Sequence, residues 1–192
     1  EDGQLNTGNI AFEATANSNT KTLSEVRLGS VAMVNQGAEF IADEGLAAIR
    51  SAARPGAVAA FGAVAAGTSE YETGSSVDLD SWNLVVGAAS KVGDLTLAGF
   101  AEYGTGSSEA EVAQAKADGD HEYYGFGIAA RWDAGSGLYV DGAVRLGMSN
   151  TEFNGVYASN GATARYDGDA FYSTFHIGAG YAFPIGNAVE AT

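Results

Sequence analysis

The sequence predicts an all-β fold: an antiparallel up-and-down transmembrane β-barrel, incomplete at about six to seven strands, preceded by a helix in its lumen. Three observations predict it. The first is an alternating apolar stripe. Tyr124, Phe126, Ile128, Ala130 and Trp132 interleave with Tyr123, Gly125, Gly127, Ala129 and Arg131. The stripe returns at Leu138, Val140, Gly142, Val144, Leu146 and Met148, and again at Phe171, Phe175, Ile177, Ala179, Tyr181 and Phe183. Successive strand residues point to opposite faces, so each run has one apolar face and one small or polar face. Each run is long enough for a tilted strand to cross a bilayer. The second observation is that short connectors alternate with long polar ones, as turns and loops do in outer-membrane barrels. The third is a glycine-bearing helix of mixed polarity ahead of the strands.

In chain order, residues 1–21 are polar, with Leu5, Ile10 and Phe12 as the substantial apolar anchors, and read as a linker or the end of a preceding domain. Residues 22–54 read as helix. Thr22 and Glu25 have capping-box spacing, and Pro55–Gly56 stops the run. Gly29, Gly37 and Gly45 would weaken this helix in isolation, and Asn35 and Gln36 interrupt its apolar stripe. Small residues and mixed polarity suit a narrow polar enclosure. Residues 55–192 then carry the strands: Ala57–Glu70, Val77–Val92, Leu95–Thr105, Glu122–Asp133, Leu138–Ser149 and Ala170–Phe183, with another opening at Ala188–Thr192. The long connectors are Tyr71–Ser76, Gly106–His121 and Asn150–Asp169. About six strands fall short of the eight of the smallest outer-membrane barrels. An open edge in lipid leaves backbone groups unsatisfied. The chain therefore reads as part of a larger barrel.

Composition narrows the function. The 192 residues include no Cys, which excludes disulfides and thiolate chemistry. A formal charge of −15 argues against a nucleic-acid partner. No stretch approaches twenty apolar residues, so no transmembrane helix is expected. No catalytic, cofactor or metal site is assigned. His121, beside Asp118 and Asp120, reads as a solvated loop residue, and His176 as a polar group inside the barrel. No G-x-S-x-G is present. Asp78 with Asp80, and Asp167 with Asp169, lack the rest of a calcium loop and read as rim carboxylates.

The inward faces instead suggest a lumen site. Gly125, Gly127, Gly178 and Gly180 line it with small residues, and Gly29 and Gly37 let the helix backbone approach. Arg131 and Arg145 fall on the same inward faces, near Asp141 and Glu102. Helix docking and simple lumen ion pairing are equally good readings of both. Trp82, Trp132, Tyr103, Tyr124 and Tyr181, near strand ends, suit interfacial girdles.

The order of parts, with "VNQGAEFI" (Val34–Ile41), "FAEYGTG" (Phe100–Gly106) and "FHIGAGYAF" (Phe175–Phe183), resembles the translocation domain of an autotransporter, the type V secretion system. The resemblance runs from about Leu23 to the end. It implies a twelve-stranded barrel with the helix in its pore, about half of which lies outside this chain. It implies an outer-membrane protein that anchors and exports its own N-terminal passenger. The partners implied are outer-membrane lipid, that passenger and the barrel assembly machinery. The family's cleaving members cut the helix next to Asn. Asn35 is the Asn of segment 22–54, and no Asn-Asn pair is present. The alternative is a surface barrel or β-module whose long loops, Gly106–His121 and Asn150–Asp169, bind a ligand or host partner.

Overall fold

The computed structural model describes residues 18–72, 76–112, 115–135, 137–156, 161–185 and 189–191. Of the polar lead-in, residues 1–17 lie outside the described residues, and Ser18–Lys21 is already helical. Helix α1 spans Ser18–Phe40. A π-helical turn, Ile41–Gly45, joins it to α2, Leu46–Ala52. Thr22 therefore sits inside the helix, buried, and does not cap its start. At the far end, Ala53 turns extended with ψ 129. Arg54 Nη1 then donates to the carbonyls of Ser51, Ala52 and Ala53 at 2.6, 3.1 and 3.1 Å. A cation on the last free carbonyls satisfies them and complements the helix dipole. The Lys91 N–H donates to the Arg54 carbonyl at 3.2 Å, tying the helix exit to the sheet.

Six strands follow: β1 Val58–Glu72, β2 Ser76–Val92, β3 Leu95–Val112, β4 Ala115–Ala134, β5 Leu138–Val156 and β6 Thr163–Tyr181. They form one antiparallel sheet in sequence order. β7 (Phe183–Ile185) and β8 (Val189–Ala191) form a separate two-stranded hairpin. The β2–β3 turn shows why register holds. Val92 pairs with Leu95, and Gly93 takes φ 62, which a two-residue primed turn requires and glycine adopts freely.

The connectors expected at Gly106–His121 and Asn150–Asp169 are mostly strand. β3 runs on to Val112 and β4 opens at Ala115, while β5 runs on to Val156 and β6 opens at Thr163. The alternation persists there in another alphabet. Ser108, Ala110, Ala117 and His121 are buried, while Glu109, Asp118 and Asp120 are exposed. Inward residues are small because they face a helix, and outward ones are charged because they face water. A search for an apolar stripe passes over such a strand.

The apolar stripes point outward. Phe126, Ile128, Val144, Phe175 and Ile177 are exposed, whereas Tyr123, Ala129, Ala143, Arg145 and Tyr172 on the alternate positions are buried. On β4 the outward apolar band runs from Tyr124 to Trp132, about the nine residues a tilted strand needs to cross. Cross-strand register places Tyr124 beside Tyr103 at one border and Trp132 beside Leu95 at the other. Trp82 packs on Tyr103 with ring centroids 5.5 Å apart. Aromatic girdles thus edge an apolar belt, as in membrane barrels.

The helical segment touches all six strands of the large sheet, α1 meeting β2–β6 and α2 meeting β1 and β2. One helical rod can do this only if the sheet curls around it. Phe40, Ile41, Leu46 and Ile49 pack with Phe61, Val85, Phe100, Ala129 and Ala143 into an apolar cluster near the short-turn end. The helix thus has an apolar face, strongest in its C-terminal third and continued by Val26, Met33 and Val34 in smaller clusters above.

Candidate functional site

The concave face and the helix against it form the candidate site. Its lower level is apolar, as above. Its middle level is a polar clamp built from inward positions of β2–β6. Register aligns Glu102, Gly125, Gly147 and Tyr172 in one row across β3–β6. Two adjacent glycines leave space for the Tyr172 ring to lie back over β5 and β4. Its hydroxyl then donates to Glu102 Oε1 at 2.8 Å. In the neighbouring row, Tyr123 leans over Gly104 and donates to Asn83 Oδ1 at 2.7 Å. The two rings meet edge-to-face, centroids 5.9 Å apart.

Arg145 sits against this pair. Its Nε donates to Glu102 Oε1 and Oε2 at 3.0 and 2.8 Å, and its Nη2 lies 2.8 Å from Oε2. Nη1 donates to the Val34 carbonyl of α1 and to Thr174 Oγ1, both at 3.3 Å. The side chains of Arg145 and Glu102 are 3% and 1% exposed, so the ion pair is nearly dry. Gly37 of α1 lies directly on Tyr123 and Arg145, with no room for a Cβ. One residue back, toward β1 and β2, Gln36 accepts from Ser81 Oγ at 2.7 Å and donates to Ser69 Oγ at 2.7 Å. Gln36, which interrupts the apolar stripe in the sequence, is thus a helix-to-wall contact.

The upper level lies beyond the girdle. His121 is 0% exposed. Its Nε2 lies 2.8 Å from Ser108 Oγ and its Nδ1 3.3 Å from Thr151 Oγ1. Gly29 of α1 rests on His121 and Ser108. The solvated-loop reading of His121 is therefore corrected: the residue is inward on a strand, and Asp118 and Asp120 face the other way. Burial pushes the imidazole from 6.5 down to about 4. A serine touching a histidine is the contact of a nucleophile with its base. Here the second nitrogen meets a hydroxyl rather than an orienting carboxylate, and the ring is sealed.

Arg131 belongs to a separate cluster near the short turns. Its Nε donates to Asp133 Oδ1 at 2.9 Å, its Nη1 lies 3.7 Å from Asp141 Oδ2, and its guanidinium stacks 3.6 Å from the Tyr139 ring centroid. His176 Nε2 lies 3.3 Å from Asp141 Oδ1. These partners are all wall residues, whereas Arg145 reaches the helix.

Of the lumen glycines read from the sequence, Gly29 and Gly37 meet the wall. Gly125 lies under Tyr172, and Gly127 under Phe100. Gly178 adjoins Asp141 and His176, and Gly180 lies under Tyr139. Wall glycines therefore seat wall side chains, of which Phe100 and Tyr172 pack with helix residues. Alternation alone did not single out Tyr123 and Tyr172, although an aromatic on an otherwise small face was the available signal. The opposite face of α1, with Arg27, Val31 and Asn35, borders a cleft of about 480 Å³ against β5 and β6. No group of three or more His, Cys, Asp or Glu among the described residues is arranged to hold a metal.

The family model of the autotransporter β-domain matches residues 58–192. The chain belongs to the autotransporter β-domain family. Its place is therefore the outer membrane. The crystal structure of the β-domain of the Bordetella autotransporter BrkA is similar, with a TM-score of 0.52 at 13% identity, covering 68% of this chain. At that identity the likeness shows the fold, and this chain spans about half (52%) of that autotransporter β-domain. The ferric yersiniabactin uptake receptor FyuA from Yersinia pestis matches more loosely, with a TM-score of 0.34 at 12% identity over 66% of this chain and 23% of that one. No curated protein matches.

Proposed function

We propose that this chain is the helix-bearing first part of an autotransporter translocator, which anchors and exports an N-terminal passenger. On this reading residues 1–21 are the end of the passenger or its linker, 22–54 the linker lying inside the barrel, and 55–192 barrel wall. The supporting observation is the inside-out arrangement: apolar side chains face outward in a girdled band while a polar clamp faces the helix. A soluble sheet would bury the first set and expose the second. Gly29 and Gly37 give the helix its close seat, and Arg145, held by Glu102 and Tyr172, docks it. Arg131, Gly125, Gly127, Gly178 and Gly180 shape the wall. The polypeptide is carried rather than chemically changed, so the domain needs no catalytic group, and the barrel assembly machinery inserts it.

The test uses the full-length protein in planar bilayers and in cells. Deleting residues 22–53 is expected to raise pore conductance and lower the heat-modification temperature. An epitope placed before residue 18 is expected at the cell surface. Unchanged conductance, or an epitope that stays inside, would overturn the reading. The alternative, ligand binding by long loops, loses most of its loops to β3–β6.

A further inference from the structure

We propose that His121 is an acid-sensitive latch for the outer half of α1. The proposal rests on the reading of α1 as docked within the wall, and it adds a condition under which that half lets go.

The geometry is specific. The imidazole sits above the aromatic girdle, within the part of β4 whose outward neighbours Asp120 and Glu122 are exposed. It is completely buried, and α1 is one of its covers: Gly29 rests on the ring, and Val26 lies beside Gly119 on the same wall. Both ring nitrogens go to hydroxyls, Ser108 and Thr151. A neutral imidazole, donor at one nitrogen and acceptor at the other, suits two hydroxyls, whereas an imidazolium asks for a carboxylate or water.

The surrounding charges supply no such carboxylate. On α1, Glu25 is buried one turn before Gly29 with Lys21 at 4.0 Å, and Arg27 is on the exposed face. On β2, β3 and β5, Asp80, Glu109 and Glu152 point outward. On β4, Asp120 favours the charged form, but burial outweighs it, and Tyr123 is the next inward group. Lifting α1 opens the ring to water and returns it toward its ordinary titration. The undocked state then binds the extra proton, so acid favours undocking. Docking is unaffected above the ordinary value of 6.5 and weakens as pH falls from there toward about 4. At about pH 5 the docking constant should be roughly 20-fold smaller than at neutral pH.

The experiment uses the full-length protein in liposomes. Ser24→Cys, on the exposed face of α1, introduces a thiol into a chain that has no Cys. A nitroxide there reports helix mobility during urea titration. The label should be immobile at neutral pH, with urea-driven release growing about 20-fold easier by pH 5. His121→Asn should flatten that dependence. Thr151→Asp, which offers the imidazolium a carboxylate, should move release to lower pH, and it keeps the question open to test if His121→Asn fails to fold. Identical release at neutral pH and pH 5, or the same profile in His121→Asn, would overturn the latch. A label already mobile at neutral pH would instead overturn the docked-helix reading.

Discussion

Removing the Arg145 guanidinium leaves the Glu102 carboxylate buried with, among the described residues, the Tyr172 hydroxyl to hold it. Breaking one side of a buried pair costs more than removing both, because the remaining charge keeps its desolvation penalty. Arg145→Met should therefore destabilise the barrel by about 3–5 kcal/mol. Arg145→Met with Glu102→Leu should recover much of that. Heat-modifiable migration in detergent measures both, and a double variant as weak as the single one would refute the account. Gly37 gives a steric counterpart. A Leu there has no space against Tyr123 and Arg145, so Gly37→Leu should lift α1 at a cost of at least about 1–3 kcal/mol. Which arginine docks the helix was not legible in the sequence. Arg131 and Arg145 share an inward parity, and only the cross-strand register separates a wall cluster from a helix contact.

The strands were legible wherever their outward face is apolar. The runs ending at Trp132, Met148 and Tyr181 could be read because lipid demands large apolar groups at every second position. Beyond the girdle water replaces lipid, Asp and Glu replace Phe and Ile, and the same strands looked like loops. The helix was legible as a helix but its apolar end was not, because Phe40, Ile41, Leu46 and Ile49 crowd into one end and leave the stripe weak over the rest. That end also makes the small inward residues Ala129 and Ala143 part of a dry cluster. A charge placed there would fail, as it would on the lipid face. The informative contrast is thus Val144→Arg against Thr174→Asp. Val144 faces lipid near the middle of β5, where a basic residue costs about 2–4 kcal/mol. Thr174 is inward, partly open and already bonded to Arg145, so a carboxylate there finds a cation. Val144→Arg should impair membrane assembly and Thr174→Asp should not, as read by heat-modifiability of the membrane fraction. Equal tolerance would refute the assignment of faces.

Over the whole molecule, the charge of −15 is not spread evenly. Register places Glu70, Asp78, Glu109 and Asp118 directly opposite one another across β1–β4, all on the outer face beyond the girdle. One row nearer the membrane, Asp120, Glu152 and Asp167 do the same across β4–β6. Composition showed the acidity, but only the register turns it into rows. Directly opposed like charges destabilise a strand pair by a few tenths to about 1 kcal/mol each. They are exposed, so salt screens them within a Debye length of about 10 Å at 0.1 M and about 3 Å at 1 M. The outer half should therefore be weakest at low ionic strength, while the dry Arg145–Glu102 pair should respond little. In a zwitterionic detergent, where salt acts on the protein rather than on a charged micelle, the full-length barrel should gain stability as salt rises from about 0.01 M to 1 M, with most of the gain above about 0.1 M, where the screening length falls below the separation of opposed side chains. Asp78→Asn with Glu109→Gln removes the centre of the longer row without touching an inward residue. That variant should be more stable than its parent at low salt by about 1 kcal/mol. Its dependence on salt should be shallower. A variant that follows the parent's salt curve in parallel would show that the rows carry no strain and that the acidity is spread too thinly to matter.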